Sequence, residues 1–346
     1  MSENKKGRDH YVPKVLLRGF CDGKREIVSI FDKKLGRSFK SNIANVAAER
    51  GFYSGLVGGS GAEIDIEGIL GRCEHEFRGC LDKIREESSL AVLGEREKAV
   101  VSLFVALQML RTPHAREQLL HVNSLLSQKL KEMGVEDPVR EVEGFEEIDQ
   151  ARAAKIANIM LLHPTEFANI ISGKAWFLMR AASGCHFYIG DNPVARQNVW
   201  NENSLRGTLG LRSQGIEVYL PITASLTLCM FCEKMYSELV DLYESATRVV
   251  RNYQAASVLG VRPPPLEDAI RARRAEELAK SIKPTIVAIE TGCAVEASKD
   301  NVENLNSLQV IYAERYVMAS RSDSELADNM VKSDSTLRYG PRMQSA

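Results

Sequence analysis

The chain has 346 residues, of which 44% are hydrophobic and 26% charged, the composition of an ordinary globular protein long enough to bury a core. Its 45 lysines and arginines nearly balance its 46 aspartates and glutamates, giving a net charge of -1. This balance excludes a global positive field that recruits nucleic acid or anionic lipid, so a nucleic-acid partner requires a local patch.

The cysteines and the chain start predict a cytoplasmic protein. The seven cysteines are odd in number and irregularly spaced, which indicates free thiols in a reducing compartment. Cys229 and Cys232 have CxxC spacing, but no second pair or His lies at zinc-site distance, so we interpret them as core cysteines. Residues 1–9 lack an apolar segment, and we expect no signal peptide and a disordered start. No apolar run reaches the ~20 residues that span a bilayer, so we expect no membrane association.

The first predicted elements are a short helix and a β-hairpin. Pro13 suits the first turn of a helix with one apolar side. Alternating residues over 25–31 and 37–43, with a turn at 32–36, predict two antiparallel strands. The Gly-rich stretch 58–61 then separates this hairpin from the middle of the chain.

Apolar residues at three-to-four spacing predict a helical middle part. The expected helices are 63–87, 95–110, 113–133 and 145–162. The second is apolar on more than one face, so we expect it at the centre of the protein. The acidic, turn-rich stretch 135–144 is expected to be a loop.

The second half is predicted to be richer in strands. Residues 176–180 and 186–189 are expected to pair as strands, with a turn at Gly190–Pro193 ending the pair. The remaining expected elements are strands 215–220 and 226–232, helices 233–250, 266–281 and 301–312, and a strand at 315–320.

This order of elements predicts an α+β protein, with a helical core, an antiparallel sheet and an N-terminal β-hairpin. It lacks the βαβ alternation of a parallel sheet. Neither sheet fragment has enough strands to stand alone, so we expect one domain over 10–321. Residues 1–9 precede it as a disordered segment, and 322–346 follow as a polar, flexible tail.

Common catalytic motifs are absent, and paired carboxylates are the first candidates. The sequence has no phosphate loop of the Gly-x-x-x-x-Gly-Lys type, no Gly-x-Gly-x-x-Gly and no Gly-x-Ser-x-Gly. Glu67 and Glu74 share one helix face beside apolar residues, so they could bind a metal or act as a base. The neighbouring Arg72 and His75 favour the plainer interpretation, a solvated edge.

A Gln–Arg pair is the second candidate. Gln108 and Arg111 lie three apart on the most apolar predicted helix, where such neighbours touch. Burying both side chains is costly unless they have partners. The planar guanidinium could clamp a phosphate or carboxylate, and a structural pair bonded to loop carbonyls fits equally well.

His10 and the Asp191-Asn192 pair complete the candidates. An apolar run follows His10 directly, which indicates that this His is docked and could serve as acid, base or ligand. Asp191-Asn192-Pro193 is by itself a turn signal, because Asp bonds its local backbone and Pro fixes φ. It also follows a predicted strand, where functional carboxylates are often found.

In this order the motifs resemble a widespread, mainly bacterial family, domain of unknown function 4238. Its members open with a His-x-x-Pro motif and a Leu/Phe run, as at His10–Pro13 and Leu16–Phe20. The later matches are the 26–43 hairpin, Phe52-Tyr53, Glu67 or Glu74, Gln108–Pro113, Asp191–Pro193, Tyr219–Ile222, and Asn304 or Asn306 through Ser320. Gly190 departs from the Ser or Thr that often precedes Asp-Asn-Pro. The resemblance covers roughly 10–320 and implies a shared fold and polar site, without a known reaction.

The leading hypothesis is a hydrolase of an anionic or phosphodiester substrate, most simply a nuclease. Its catalytic residues are then His10, Glu74 and Asp191, with a divalent metal ion as one candidate cofactor. Its substrate-binding residues are Gln108, Arg111 and Asn192. This hypothesis requires the His10 ring to lie near Arg111 and Asp191.

The alternative is a non-catalytic module that binds nucleic acid, a small anion or a protein partner. The same residues would then form a polar framework that fixes the N-terminal segment onto the helices. Clustering around an open pocket favours the enzyme, whereas full mutual pairing in a closed interior favours the module. A third hypothesis, a role in an oligomeric machine, rests on the charged helix 266–281, although solvated helix faces have the same charge pattern.

Overall fold

A computed structural model describes residues 7–21, 23–58, 61–198, 200, 209–258 and 265–342. Its N-terminal elements are β1 Arg8–His10, α1 Lys14–Leu17, β2 Ile27–Asp32, β3 Arg37–Asn42 and β4 Ala48–Arg50. β2 and β3 form the predicted hairpin, and β1 pairs antiparallel with β4. Residues 1–6 lie outside the described residues, whereas Arg8 and Asp9 of the expected disordered start belong to β1.

The middle part is helical, as predicted. Its helices are α2 Ile66–Glu87, α3 Glu95–Leu110, α4 Pro113–Glu132, α5 Pro138–Glu141, α6 Gln150–Met160 and α7 Thr165–Ser172. α2 and α6 begin later than predicted because Asp65 and Asp149 act as N-caps, accepting from the main-chain N–H groups of Gly68 and Arg152. The predicted loop 135–144 contains the short α5.

The C-terminal part combines strands with long helices. Its elements are β5 Ala175–Arg180, β6 Ile189–Gly190, β7 Ala195–Asn198, β8 Ile216–Pro221, β9 Leu226–Phe231, α8 Glu233–Val258, α9 Leu266–Thr291, β10 Val295–Glu296, α10 Lys299–Tyr312, β11 Tyr316–Ala319 and α11 Glu325–Ser333. α9 continues beyond its predicted end and through Pro284, where buried Ile286 and Ala288 offset the lost hydrogen bond.

Two sheets carry most of the strands. One has the order β10-β5-β9-β8-β7 and the other the order β3-β2-β11-β6. The prediction that 176–180 pairs with 186–189 was wrong, because β5 and β6 lie in different sheets. The cause is Asn306, whose side chain accepts from the Tyr188 N–H and donates to the His186 carbonyl. Those main-chain groups therefore bond to α10 instead of a neighbouring strand.

The N-terminal segment is part of the main core. Leu16, Leu17 and Phe20 have no exposed surface and belong to the same apolar cluster as α2 and α3. Phe77 of α2 stacks on Phe104 of α3 with ring centroids 3.5 Å apart. α3 is therefore central, as its apolar faces predict, and the α+β class is confirmed.

The expectation of a frayed tail after residue 322 was wrong for α11. Ala327 and Val331, four residues apart, are buried in a cluster with Phe31 and Val310. The short 3-10 helix Ser335–Arg338 follows and continues along the surface. In the described part of the chain, no helix is long and apolar enough to cross a membrane. All seven cysteines lie in this part and are free.

Candidate functional site

Arg111 is a buried node between three elements. It follows α3 directly and is 2% exposed. Its guanidinium donates from Nη1 to Glu74 Oε1 at 2.7 Å, from Nε to the Tyr53 hydroxyl at 3.1 Å, and from Nη2 to the His10 carbonyl at 2.5 Å. One charged side chain thus joins α2, the Phe-Tyr segment and β1, an arrangement suited to the fork geometry of Arg.

Gln108 holds Tyr11, the residue that follows His10. Its Nε2 donates to the Tyr11 carbonyl at 2.8 Å, and the side chain is fully buried. Its Oε1 is buried and has no hydrogen-bond partner among the described residues. Gln108 and Arg111 therefore both bind main-chain carbonyls, as the interpretation of the two residues as a structural pair requires.

The ring of His10 has a separate partner. Nε2 donates to the Ile43 carbonyl at 3.1 Å. Burial lowers the pKa of His10; the bond to Ile43 and the charge of Glu74 oppose this shift, while Lys14 and Arg111 add to it. The ring is thus near Arg111 and Glu74, yet Arg111 bonds to the carbonyl of His10 and not to its ring.

Asp191 lies inside a closed turn. Its Oδ1 accepts from the Glu314 N–H at 2.7 Å, and its Oδ2 accepts from the Arg315 and Tyr316 N–H groups, both at 2.9 Å. It is 1% exposed, and burial raises its pKa to about 6 although these N–H groups and Lys33 favour the ionised form. Its carboxylate therefore fixes the backbone that follows α10.

Asn192 and Gly190 extend this packing. Asn192 donates from Nδ2 to the Tyr312 carbonyl at 3.2 Å and accepts from the Thr112 hydroxyl at 3.3 Å. A Cβ at position 190 would lie 3.1 Å from the Gln309 carbonyl oxygen, closer than an ordinary contact. Glycine thus suits this position.

The structure divides the six predicted site residues into two groups. His10, Glu74, Gln108 and Arg111 meet at the N-terminal segment, whereas Asp191 and Asn192 lie against α10. Asp191 is not a hydrogen-bond partner of His10, although burial and the charge of Asp191 both raise the pKa of the adjacent Tyr11, and Asn192 accepts from Thr112, which follows Arg111. The geometry thus joins His10 to Arg111 but not to Asp191, and the catalytic roles stay a prediction.

An open cleft of about 380 Å³ lies beside the Arg111 node. We call it the carboxylate cleft, after its four acidic lining residues, Asp9, Glu63, Asp65 and Glu67. Three of these bond to nearby main chain: Asp9 to the N–H of Tyr53, Glu63 to that of Gly55, and Asp65 to that of Gly68. No Lys or Arg lines this cleft among the residues that the structure describes.

Glu67 is an acidic residue of this cleft with a raised pKa. Desolvation raises its pKa to about 7, with Asp9 and Glu74 adding to the shift and Arg111 opposing it. The residue is still exposed to solvent, which screens part of these interactions. Among the described residues, no group of three or more His, Cys, Asp or Glu is arranged to hold a metal ion.

Sequence reasoning missed three buried polar residues. Tyr53 entered only as part of an aromatic pair, although its hydroxyl binds Arg111 and the His10 carbonyl. Lys33, in the predicted turn 32–36, has no exposed surface and donates to the Val310 and Ala313 carbonyls at the end of α10. Burial lowers its pKa to about 8. Glu314 is 5% exposed. No local pattern distinguishes Lys33 or Glu314 from solvated residues.

A family model covers residues 8–323, nearly the whole chain. The chain belongs to this family, whose description is protein of unknown function (DUF4238). The resemblance to this family is thereby confirmed. No curated protein and no solved structure matches the chain. The family description gives no activity, so a function can be inferred only from the geometry of this chain.

Proposed function

We propose that this DUF4238 protein is a non-catalytic module that binds a basic segment of a protein partner. The observation that supports the non-catalytic role is that the buried motif residues bond to main-chain groups of the protein. Arg111 and Gln108 donate to the carbonyls of His10 and Tyr11, and Asp191 accepts three main-chain N–H groups. Buried groups committed in this way fix the backbone and are not free to bind substrate.

The carboxylate cleft is the proposed binding surface. It is open, and its lining residues have four carboxylates without a Lys or Arg among them. A Lys or Arg side chain entering it would gain charge complementarity, which raises both the association rate and the specificity of an encounter. A basic peptide segment is therefore the partner that this surface favours.

A phosphodiester fits this cleft poorly. Its negative charge would meet four carboxylates, and Arg111, the predicted anion clamp, is already bonded to Glu74 and to Tyr53. The nuclease hypothesis and a nucleic-acid partner stay predictions that need another surface. A cytoplasmic location is part of the same proposal, supported by seven free cysteines.

The test is binding of a fluorescein-labelled octa-arginine peptide, followed by anisotropy. Binding is measured at pH 8, above the pKa of Glu67, so that in the variant Asp65→Asn/Glu67→Gln the cleft loses two charges, while Asn can still cap α2. We expect affinity to fall about tenfold, and to fall with added salt. The matched control Asp241→Asn/Glu244→Gln removes two exposed charges from α8 and should change affinity less than about twofold. Equal losses in both variants, or no binding to the unaltered protein, contradict the proposal.

A second candidate is a hydrolase that uses Glu67 as general acid. The observation that favours it is the pKa of about 7 at an open cleft, with the ion-paired Glu74 seven residues along the same helix. Neutral aryl ester and aryl glycoside reporters test it, since the cleft repels anions. A hydrolysis rate that Glu67→Gln abolishes while octa-arginine still binds favours this candidate over the module.

A further inference from the structure

The last described residues, 339–342, contact polar side chains of the protein body, and we call the site that these side chains form the polar groove; its members are Lys33, His114, Gln118 and Glu314. Their main chain is held from the protein body: Lys33 Nζ donates to the Tyr339 carbonyl at 3.4 Å, and Gln118 Nε2 donates to the Pro341 carbonyl. The Lys34 ammonium group lies 5.0 Å from the centroid of the Tyr339 ring. Contacts with main-chain carbonyls hold a segment whatever its side chains are.

Arg342 supplies a side-chain-specific contact in this groove. Its Nη2 donates to Glu314 Oε1 at 2.7 Å and its Nη1 to Glu314 Oε2 at 3.0 Å, a bidentate pair. His114 Nδ1 lies 3.3 Å from the same carboxylate, and Glu117 lies 3.7 Å from Arg342. Although burial opposes ionisation, the bonds from His114 and Arg342 lower the pKa of Glu314 to about 2.

Gly340 passes through the narrowest part of the groove. A Cβ at this position would lie 2.7 Å from both Glu314 Oε2 and His114 Nδ1, a separation that real contacts do not show. Only glycine therefore fits between these two side chains without displacing them. The groove selects a small residue at one position and a guanidinium two positions later.

The motif residues of the family position the two walls of the groove. Asp191 binds the Glu314 N–H and so fixes the residue that accepts Arg342. Asn192 accepts from Thr112, two residues before His114. The Asp-Asn-Pro motif therefore has a positioning role. This role accounts for polar residues that are buried away from the carboxylate cleft.

The groove lies inside the region matched by the family model, whereas the segment that occupies it lies outside that region. Lys33, His114, Gln118 and Glu314 all lie within the family match of 8–323, whereas Tyr339–Arg342 lie beyond it. The walls are therefore made by the part of the chain that defines the family. The peptide between them comes from outside that part.

We propose that this groove is a recognition site for a peptide of the Gly-Pro-Arg type, which the chain's own residues 339–342 occupy here. The Arg342 guanidinium also donates to the Gly340 carbonyl at 3.1 Å, so the bound segment turns back on itself at this residue. A second peptide of this chemistry, presented by a protein partner, binds when the internal segment leaves. The groove is distinct from the carboxylate cleft, so the inference does not rest on the proposed function. The internal segment competes with such a peptide at an effective concentration of about 1 mM, so the unaltered chain binds the peptide weakly.

The first experiment measures release of the segment in the full chain by hydrogen exchange. Arg342→Ala removes the bidentate pair, and we expect amides of 335–342 to exchange about tenfold faster, with little change elsewhere. Lys332→Ala is the matched control, because it removes one positive charge from the exposed side of α11. Equal exchange in Arg342→Ala and the unaltered chain overturns the proposal, since the guanidinium would then not anchor the segment.

The second experiment adds a fluorescein-labelled peptide of residues 335–346 to the full-length Arg342→Ala protein. We expect binding about tenfold tighter than to the unaltered chain, and a loss of about tenfold or more with Glu314→Gln in the same background. Replacing the peptide's Arg342 by Lys, or its Gly340 by Ala, should also weaken binding, and such peptide changes cannot unfold the protein. Asp65→Asn/Glu67→Gln should leave this binding unchanged. The proposal is overturned if a folded Arg342→Ala protein does not bind the peptide. It is also overturned if that protein binds the Lys peptide with the same affinity as the Arg peptide.

Discussion

The N-terminal and C-terminal segments of the described chain are both held by an Arg–Glu pair with one buried member, but in opposite directions. At the N-terminus the body supplies the arginine: Arg111, paired with Glu74, donates to the carbonyl of His10. At the C-terminus the body supplies the carboxylate: Glu314 accepts a guanidinium from the segment itself, Arg342. The two segments are thus recognised through different atoms.

The difference separates a permanent contact from an exchangeable one. Arg111 is 2% exposed and binds main chain, so its contact does not depend on the identity of the held side chain. The Arg342 side chain is 26% exposed and its contact depends on one guanidinium, so a change of that residue releases the segment. We therefore expect changes at the N-terminal pair to alter global stability and changes at the C-terminal pair to alter local order.

The largest expected effect is that of Arg111→Ala. The change leaves Glu74, the Tyr53 hydroxyl and the His10 carbonyl without their common partner in a buried site. Breaking a buried pair from one side costs about 3–5 kcal/mol, and we expect a loss of that size in the free energy of unfolding. Urea unfolding followed by circular dichroism measures it.

Arg111→Lys separates the contribution of the charge from that of the guanidinium geometry. It keeps the positive charge, but an ammonium group cannot make the same three contacts with Glu74, Tyr53 and His10. The expected cost of Arg111→Lys is about 2 kcal/mol. If Arg111→Ala costs no more than an exposed substitution such as Lys332→Ala, then the N-terminal segment is not held as described, and the contrast between the two ends fails.

The next effect in size is that of Asp191→Asn. An amide keeps one acceptor oxygen where the carboxylate has two, so at least one of the three N–H groups from 314–316 loses its bond. We expect a cost of about 1–3 kcal/mol in the free energy of unfolding. Faster amide exchange in 335–342 should accompany it, because Asp191 fixes Glu314 and thereby the groove.

The pH dependence of this variant has a definite sign. Burial raises the pKa of Asp191 to about 6, above the unfolded value near 3.9, so the folded protein binds the extra proton between these values. Its contribution to stability is complete below pH ~4 and is lost as pH rises through about 6. The gap in unfolding free energy between the unaltered protein and Asp191→Asn should therefore widen from pH 7 to pH 5. A constant gap contradicts the assignment.

Local sequence patterns predicted most of the fold, since helix period and caps act within one turn. α3 Glu95–Leu110 and the Pro113 start of α4 match their predictions for this reason. α11 was missed because Ala327 and Val331 form only a weak apolar stripe until Phe31 and Val310 cover it. The strand expected at 186–189 failed because its backbone partner is the side chain of Asn306, which lies about 120 residues away.

The candidate site was predicted in its members but not in its geometry. Gln108 and Arg111 stood out because they are polar on an apolar helix, and both are buried. Their partners are main-chain carbonyls, which every residue has, so no sequence pattern could name them. The Glu314–Arg342 pair was missed because its residues are 28 apart and look like ordinary surface charges.

The smallest expected effect is that of His10→Ala, and it tests what the His-x-x-Pro motif contributes. The ring makes one bond, to the Ile43 carbonyl, so its loss should cost about 0.5–1.5 kcal/mol. Burial lowers the pKa of His10 below its unfolded value, so its contribution is present above pH ~6.5 and is lost as pH falls through the folded pKa. The cost of His10→Ala should thus be larger at pH 8 than at pH 5.

His10→Ala and Arg111→Ala together decide how the N-terminal segment is recognised. Alanine keeps the carbonyl that Arg111 binds, so His10→Ala should retain the fold, the octa-arginine affinity and the contacts of 339–342, as measured by the anisotropy and exchange experiments above. A loss as large as that of Arg111→Ala would mean that the ring, and not the main chain, anchors the segment. The N-terminal contact would then depend on a side chain of the held segment, as the Arg342 contact does, and the two ends of the chain would no longer differ in kind.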